Sequence, residues 1–378
     1  MFSIKILFVV NAEWYFWSHR LSLAKALQAQ GADVIITAAV ERGYDTAIRE
    51  AGFRFIPLRL QRRSMNLVTE IISITDLWRL YNIENPDIVH HFTIKPVIYG
   101  SLIGRLAGVP HIINTIPGLG YTFLNNTWKH RLLRRSITTL YRLALRDKRI
   151  HVIFQNPEDC AYFIENRLIE RERTSVIRGS GVDIMTFQPA PEPDGVPVVL
   201  MAARMLWDKG VAEFVEAAQL VRGVGISCRF VLVGVPDTEN PNQVSEFLLR
   251  KWNNAGIIEW WGLRNDMPTV LKQATIVTLP SYYPEGVPKV LLEAAATARA
   301  IITTDTPGCR EIVKHNVSGL LIPPRNSKAL ADAICFALVN PDSRRRWGQT
   351  ARKIVENEFR DDIIISQTLD VYRRLIKS

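Results

Sequence analysis

Short uninterrupted apolar runs alternate along this chain with longer stretches whose apolar positions recur every three or four residues. "KILFVV", "ADVIITAA", "FRFIPL", "PDIVHHF" and "PHIINTI" are runs of the first kind. "SHRLSLAKALQAQG", "DTAIREAG", the stretch from Leu67 to Asn82 and "IYGSLIGRLAG" are of the second, and three of these four end on glycine. Continuous apolar strands separated by helices predict a parallel sheet covered by helices on both faces. "HVIFQN" and "TSVIRG", following "YRLALRDKR", complete this first set of strands. The first β-α turn, with its aromatic run "EWYFW", reads as a loop.

The pattern then breaks and restarts. "QPAPEPDGVP", residues 188–197, is rich in proline and acid, suits neither a helix nor an inner strand, and reads as a linker. Beyond it "VVLMAA", "CRFVLVG", "IIEWWG", "IVTLPS", "AIITTD" and "GLLIPP" alternate with helical stretches such as "GVAEFVEAAQLV" and "SKALADAICFALVN". The expectation is two doubly wound α/β domains, 1–187 and 198–360, with a last helix over 361–378 that crosses back onto the first domain. Such sheets bind ligands at the carboxyl ends of their strands, so a cleft between the two is the expected site.

Composition narrows the class. The 378 residues are too many for one ordinary core, and 47% hydrophobic with 22% charged residues is a globular balance. Four scattered cysteines (Cys160, Cys228, Cys309, Cys335) show no paired spacing, which argues against a disulfide framework or zinc site and fits a reducing cytoplasm. The run from Ile4 to Val10 is too short to span a bilayer, Asn11 and Glu13 follow at once, and a secretory signal is not expected. A net charge of +10 calls for an anionic partner: nucleic acid, anionic lipid or a phosphorylated substrate.

The first β-α turn, "VVNAEWYFWSHR", contains no glycine, and "GLGYTF" at 118–123 has two but no third. The dinucleotide fingerprint is missing, which sets a nicotinamide or flavin dehydrogenase aside. "SYYPEGVPKVLLEAA", 281–295, is more informative: it runs from a loop into a helix and carries Glu285 and Glu293. Pro288 suits the first helical position, and the amides of Gly286, Val287 and Lys289 then form an anion site at the helix start. Carboxylates repel phosphate but accept hydrogen bonds from hydroxyls. A phosphate site flanked by acids therefore suits a diphosphate between two polyols, a nucleotide sugar; a capping acid plus an ordinary helix acid is the alternative. "AARMLWDKG", 202–210, places Arg204 after a strand and Lys209 before a helix, two cations able to converge on a diphosphate and to neutralise charge building on a leaving nucleotide.

"RMLWDKGVAEF", "WWGLRNDMPTVLKQATIVTLPSYYPEGVPKVLLEAAA" and "GVD" before the linker together resemble the retaining family 4 glycosyltransferases of the GT-B fold, whose E-x7-E pattern falls on Glu285 and Glu293. The likeness covers nearly the whole chain and is strongest from Ala202 to Pro324. It leans toward members that transfer N-acetylgalactosamine to a polyprenyl-diphosphate-linked sugar, and toward O-antigen and capsule transferases. The resemblance implies that Arg204 and Lys209 hold the donor diphosphate, Glu285 contacts hydroxyls of the transferred sugar, and Glu293 holds the ribose. It also implies that Gly286, Val287 and Pro288 form the amide-bearing turn, while Gly262 and Arg264, in the segment starting at Trp261, line the base pocket. A UDP-sugar donor, transfer with retention and no metal or other cofactor follow from the same likeness. Two departures stand out: Asn11, Ala12 and Glu13 occupy the place of a glycine-rich loop, and Ile116 and Pro117 the place of a family histidine.

The first domain is the acceptor side in this fold. His19 and Arg20 follow the aromatics Trp14 to Trp17; Arg62 and Arg63, then Lys129, Arg131, Arg134, Arg135, Arg142, Arg146, Lys148 and Arg149 add cations. His91, at a strand end, and Gly118 are further acceptor-side candidates, although strand-end histidines are commonly structural. Cations with interfacial aromatics fit peripheral contact with an anionic cytoplasmic membrane face, and a polyprenyl-diphosphate-linked saccharide as acceptor. The alternatives are a soluble-acceptor transferase of the same family and a UDP-sugar 2-epimerase. No nucleic-acid motif accompanies the charge, so nucleic acid is not an expected partner.

Overall fold

The computed structural model describes residues 4–61, 66–120 and 128–377. The chain forms two compact units, Met1–Ser180 with Ile364–Ser378, and Gly181–Ile363. The first runs β1 (Lys5–Val9), α1 (Glu13–His19), α2 (Leu21–Ala29), β2 (Asp33–Ala38), α3 (Tyr44–Glu50), β3 (Arg54–Pro57) and α4 (Leu67–Glu84). It continues through β4 (Ile88–Phe92), α5 (Ile94–Leu106), β5 (His111–Ile116), α6 (Trp128–Ala144), β6 (Ile150–Phe154), α7 (Pro157–Glu165) and β7 (Thr174–Val176). The strands make one parallel sheet in the order β3-β2-β1-β4-β5-β6-β7. Alternate residues of β1 enter different cores: Leu7 and Val9 pack with Leu77 and Tyr81 on one face, Ile6 and Phe8 with Phe16 and Tyr372 on the other. That two-sided burial is why these strands read as unbroken apolar runs.

The second unit runs β8 (Val198–Ala202), α8 (Val211–Gly223), β9 (Arg229–Val233), α9 (Glu246–Asn254), β10 (Glu259–Trp260), α10 (Met267–Lys272) and β11 (Ile276–Leu279). α11 (Lys289–Ala296), β12 (Ala300–Thr304), α12 (Pro307–Ile312), β13 (Leu320–Ile322), α13 (Ser327–Val339) and α14 (Pro341–Glu358) follow, and α15 (Asp361–Lys377) is the last helix of the chain. Its parallel sheet has the order β10-β9-β8-β11-β12-β13. Strand order reverses between β8 and β11, with Val199 beside Ile276, so the loops leaving those two strands emerge side by side. In open α/β sheets this reversal is where ligands bind.

Three expectations shift. The aromatic run after β1 is the helix α1, not a loop: Phe16 enters the core, Trp17 packs on Tyr44 with ring centroids 5.9 Å apart, and Trp14 donates to Glu41 at 2.8 Å. The chain passes between units at Ser180–Gly181, so residues 188–197 lie inside the second unit, where Glu192 accepts two bonds from Arg344 at 2.9 and 2.8 Å. Pro288 is the N-cap of α11, with helix starting at Lys289. From Ile364 onward α15 belongs to the first unit, and Tyr372 is buried there with its hydroxyl 2.6 Å from His90 Nδ1.

Candidate active site

In the second unit Arg204 lies two residues beyond β8, and a single 3-10 turn (Trp207–Lys209) then leads into α8. Gly210 caps that helix at φ +85°, and a Cβ there would come within 2.3 Å of the Pro280 carbonyl oxygen. Only glycine lets the turn lie so close to the end of β11, and the approach carries Lys209 to Glu285. The Lys209 Nζ donates to both carboxylate oxygens of Glu285 at 2.6 Å. Ser281 adds a bond to Glu285 at 3.1 Å, and Asp208's carbonyl accepts from the Tyr282 amide at 3.0 Å and from Ser281 Oγ at 3.3 Å. Five residues of two loops are thus locked together, with the Lys209 and Glu285 side chains 10% and 21% exposed.

The turn between Glu285 and α11 is held from behind: a Cβ on Gly308, in α12, would meet the Gly286 carbonyl oxygen at 1.8 Å. Among the described residues the amides of Gly286 and Val287 make no hydrogen bond. Amides left unpaired beside a helix start suit an anion. Inside α11, Glu293 is 8% exposed and 3.8 Å from Lys289; burial pushes its carboxyl up to about 7, with Lys289 opposing.

On the other side Arg204 donates to Asp237 at 2.7 Å. Asp208 is 1% exposed and neither of its carboxylate oxygens accepts a hydrogen bond among the described residues. Burial raises its pKa, with the charges of Lys209 and Arg204 working against the rise. The structure thus brings Arg204, Lys209, Glu285 and Gly286–Val287 together past the carboxyl ends of the central strands β8 and β11, and adds Ser281, Asp208 and Asp237. Asp237 meets Arg204 from a loop 33 residues away, so spacing carried no sign of it. Gly262 and Arg264 lie past β10, on the neighbouring strand to β9: the Gly262 carbonyl accepts from the Gly234 amide at 2.7 Å, and Arg264 pairs with Asp266 at 2.7 Å.

In the first unit the candidates separate. His91 is a correction: it is fully buried within β4, its Nε2 2.7 Å from the Tyr81 hydroxyl and its Nδ1 2.8 Å from Asn114 Oδ1. Burial lowers its pKa to about 4, so it is a neutral core histidine with both nitrogens engaged. Arg20 is 6% exposed, its guanidinium 4.6 Å from the Phe92 ring centroid, and so is not a surface cation. His19 stacks on Tyr15 at 4.5 Å and sits 2.6 Å from Ser18 Oγ. Gly118 is buried at φ +150° in the loop after β5. Arg62 and Arg63, like "YTF" of the glycine loop, fall outside the described residues, as does the Lys129 side chain.

Residues 185–354 match the family of group 1 glycosyl transferases, and residues 5–156 match the glycosyl transferase 4-like family. The chain is a glycosyltransferase. It is similar to the N,N'-diacetylbacillosaminyl-diphospho-undecaprenol alpha-1,3-N-acetylgalactosaminyltransferase of Campylobacter jejuni, with 29% identity over 99% of this chain and 100% of the relative. It is also similar to the UDP-Gal:alpha-D-GlcNAc-diphosphoundecaprenol alpha-1,3-galactosyltransferase of Escherichia coli, 27% identical over 72% of this chain and 71% of that one. Among solved structures, Anabaena HepE in complex with UDP and glucose aligns with a TM-score of 0.78 at 18% identity, covering 98% of this chain and 99% of HepE. The glycosyltransferase has the GT-B fold expected from its sequence, two parallel-sheet α/β units.

Proposed function

We propose that this glycosyltransferase moves a hexose or N-acetylhexosamine from a UDP-sugar to a polyprenyl-diphosphate-linked saccharide, with retention at the anomeric carbon, in the assembly of a surface glycan. The observation that carries the donor half is the Lys209–Glu285 pair at the sheet's switch point beside the unpaired amides of Gly286 and Val287: cation and amides for the diphosphate, carboxylate for sugar hydroxyls. Arg204 and Lys209 neutralise the leaving diphosphate, an oxygen of which takes the acceptor's proton, so the reading calls for no metal or other cofactor. The acceptor half is supported by the two undecaprenyl-diphosphate relatives. The test is a panel of UDP-sugars with and without a membrane lipid extract, in chelator. Lipid-dependent release of UDP from one sugar supports the reading; release or epimer formation without lipid overturns it in favour of a soluble acceptor or a 2-epimerase.

The bilayer contact is assigned to α6. Its inner side buries Tyr141 and Ala144, while Trp128, Leu132, Leu140 and Leu143 are exposed among Arg131, Arg135 and Arg142. Exposed apolar residues interleaved with cations fit the headgroup region of an anionic cytoplasmic leaflet. Among the described residues no helix is long and apolar enough to cross a membrane. Reversing Arg131, Arg135 and Arg142 to glutamate is expected to abolish flotation with anionic vesicles; each cation near such a surface contributes about 1 kcal/mol. Unchanged flotation would remove α6 from the contact.

A pH dependence belongs to Glu293. Its folded pKa of about 7 exceeds the ordinary value of 4.5, so the folded chain holds this proton more tightly than the unfolded one. The resulting stability is complete below the ordinary value and is lost as pH rises through 7. Ribose hydroxyls donate best to the ionised carboxylate, so UDP affinity should fall as pH drops from 8 to 6, with proton release on binding near pH 7. Titration calorimetry in buffers of different ionisation enthalpy reads both, and Glu293→Gln should flatten both.

A further inference from the structure

The loop between β9 and α9 does more than connect them. Residues 235–244, "VPDTENPNQV", run back along the segment that carries the site's cations. Met205 N donates to Val235 O at 3.1 Å, Trp207 N to Asn242 O at 3.0 Å and Val244 N to Met205 O at 2.9 Å, while Leu206 bridges to Gln243. The loop is itself tightened: Asn240 N donates to Asp237 O at 2.7 Å, and Asn240 Oδ1 accepts from Asn242 N at 2.9 Å. Asn240 is 1% exposed. Gly234, just before the loop, would place a Cβ 1.9 Å from the Ala203 carbonyl, so loop and segment touch backbone to backbone on the strand side too.

At the tip of this clamp is Asp237. Its side chain is 3% exposed, yet the side chain of Arg204, whose guanidinium it accepts from at 2.7 Å, is 30% exposed. The pair is asymmetric in burial: the acid is enclosed in the packed loop and the arginine side chain is partly exposed. A guanidinium presents five N–H donors in one plane, and one carboxylate engages at most two. Anchoring one edge fixes the plane of the rest. A long arginine side chain otherwise surrenders considerable rotamer freedom when it meets a ligand, and pre-ordering it removes that cost from binding.

We propose that Asp237 is a positioning residue for donor binding: through Arg204 it sets the orientation of the guanidinium that meets the nucleotide's diphosphate, and the 235–244 loop is the rigid mount for both. The inference rests on the reading of Arg204 as a diphosphate ligand. It assigns Asp237 no contact with the donor, since a carboxylate facing the diphosphate would repel it. The consequence is selective. Loss of the Asp237 charge weakens binding of the diphosphate while leaving the nucleoside untouched.

The experiment measures UDP and uridine binding by calorimetry to the parent, Asp237→Asn, Arg204→Ala and the double variant, with melting temperatures for each. Asp237→Asn should bind UDP about tenfold more weakly, the size expected when a charge-assisted bond that orders a ligand-binding group is lost. Uridine affinity should be unchanged, and the double variant should match Arg204→Ala alone. Asp237→Glu, which restores the charge, should recover part of the UDP affinity. If Arg204→Ala weakens UDP but Asp237→Asn does not, Asp237 does not position Arg204 and the inference fails on its own. If Arg204→Ala itself binds UDP like the parent, the diphosphate role of Arg204 fails and takes the inference with it. Equal loss of UDP and uridine, or a loss from Asp237→Asn that persists undiminished without Arg204, would show that Asp237 acts on the fold at large and would also overturn the proposal.

Discussion

A Glu285→Gln protein is expected to turn over its sugar nucleotide about a hundredfold more slowly than the parent, and to bind free UDP as tightly or more tightly. The reasoning starts from the ion pair. Glu285 takes both of its strong bonds from Lys209 and a third, longer one from Ser281. Glutamine keeps the shape and one acceptor oxygen, so the loop stays folded around Ser281, but it no longer holds the ammonium. Lys209 is then released toward the incoming diphosphate, which raises affinity for UDP alone. The transferred sugar, however, loses an ionised acceptor for its hydroxyls at the moment charge develops on the ring, and the rate falls. Titration of UDP set beside steady-state turnover separates the two effects. Parallel losses in both would mean that Glu285 serves mainly to hold Lys209 in place.

The architecture was legible because both sheets are parallel and buried on both faces. "KILFVV" and "VVLMAA" have no polar side to confuse the reading, and both became central strands. The first helix escaped notice for the opposite reason. Four bulky aromatics in succession give no three-to-four spacing, and what allows helix there is tertiary: the fully buried Glu13 accepts the amides of Glu41 and Arg42, and Phe16 plugs the core. The structural role of His91 is set by the fold. A Cβ on Gly100 would stand 2.3 Å from the His91 ring, so the glycine of "IYGS" marks the space this histidine fills in the packed interior. Residues 188–197 carry the composition of a linker, yet Glu192 among them is tied to Arg344 and Pro191 O accepts from Arg299 at 2.9 Å. Proline content reports that a segment is irregular, not that it is loose.

The candidate site divides along the same line. Arg204, Lys209, Glu285 and Glu293 are legible in the sequence as candidates because each lies in a local motif whose residue types suit one chemistry. Asp237 is not, because its meaning depends on which strands are neighbours. Arg204 meets Asp237 only because β8 pairs with β9, at a separation of 33 residues. Asp208 shows the limit of residue types: beside Lys209 it looks like an ordinary exposed acid of a turn, whereas it is 1% exposed with both oxygens unbonded among the described residues.

Lys209→Ala is expected to have the larger and broader effect. On the proposed reading, removing the ammonium takes a cation from the diphosphate and leaves Glu285 facing it with Ser281 as its one remaining partner among the described residues. Where Glu285→Gln spares UDP, Lys209→Ala should weaken it by tenfold or more and lower turnover by about a hundred- to a thousandfold, the range seen when a charge-stabilising donor is lost. Stability should fall too, since breaking a largely buried pair by deleting one partner costs on the order of 3 kcal/mol. The double variant Lys209→Ala with Glu285→Gln distinguishes the causes. If the uncompensated carboxylate is what repels UDP, the second change restores UDP affinity and the melting temperature while activity stays low. If the ammonium itself binds the diphosphate, as proposed, UDP affinity stays weak in the double variant although the melting temperature recovers. Calorimetry and thermal unfolding of the three variants against the parent decide between them, and full recovery of UDP binding would transfer the diphosphate to Arg204 and the amides of Gly286 and Val287 alone.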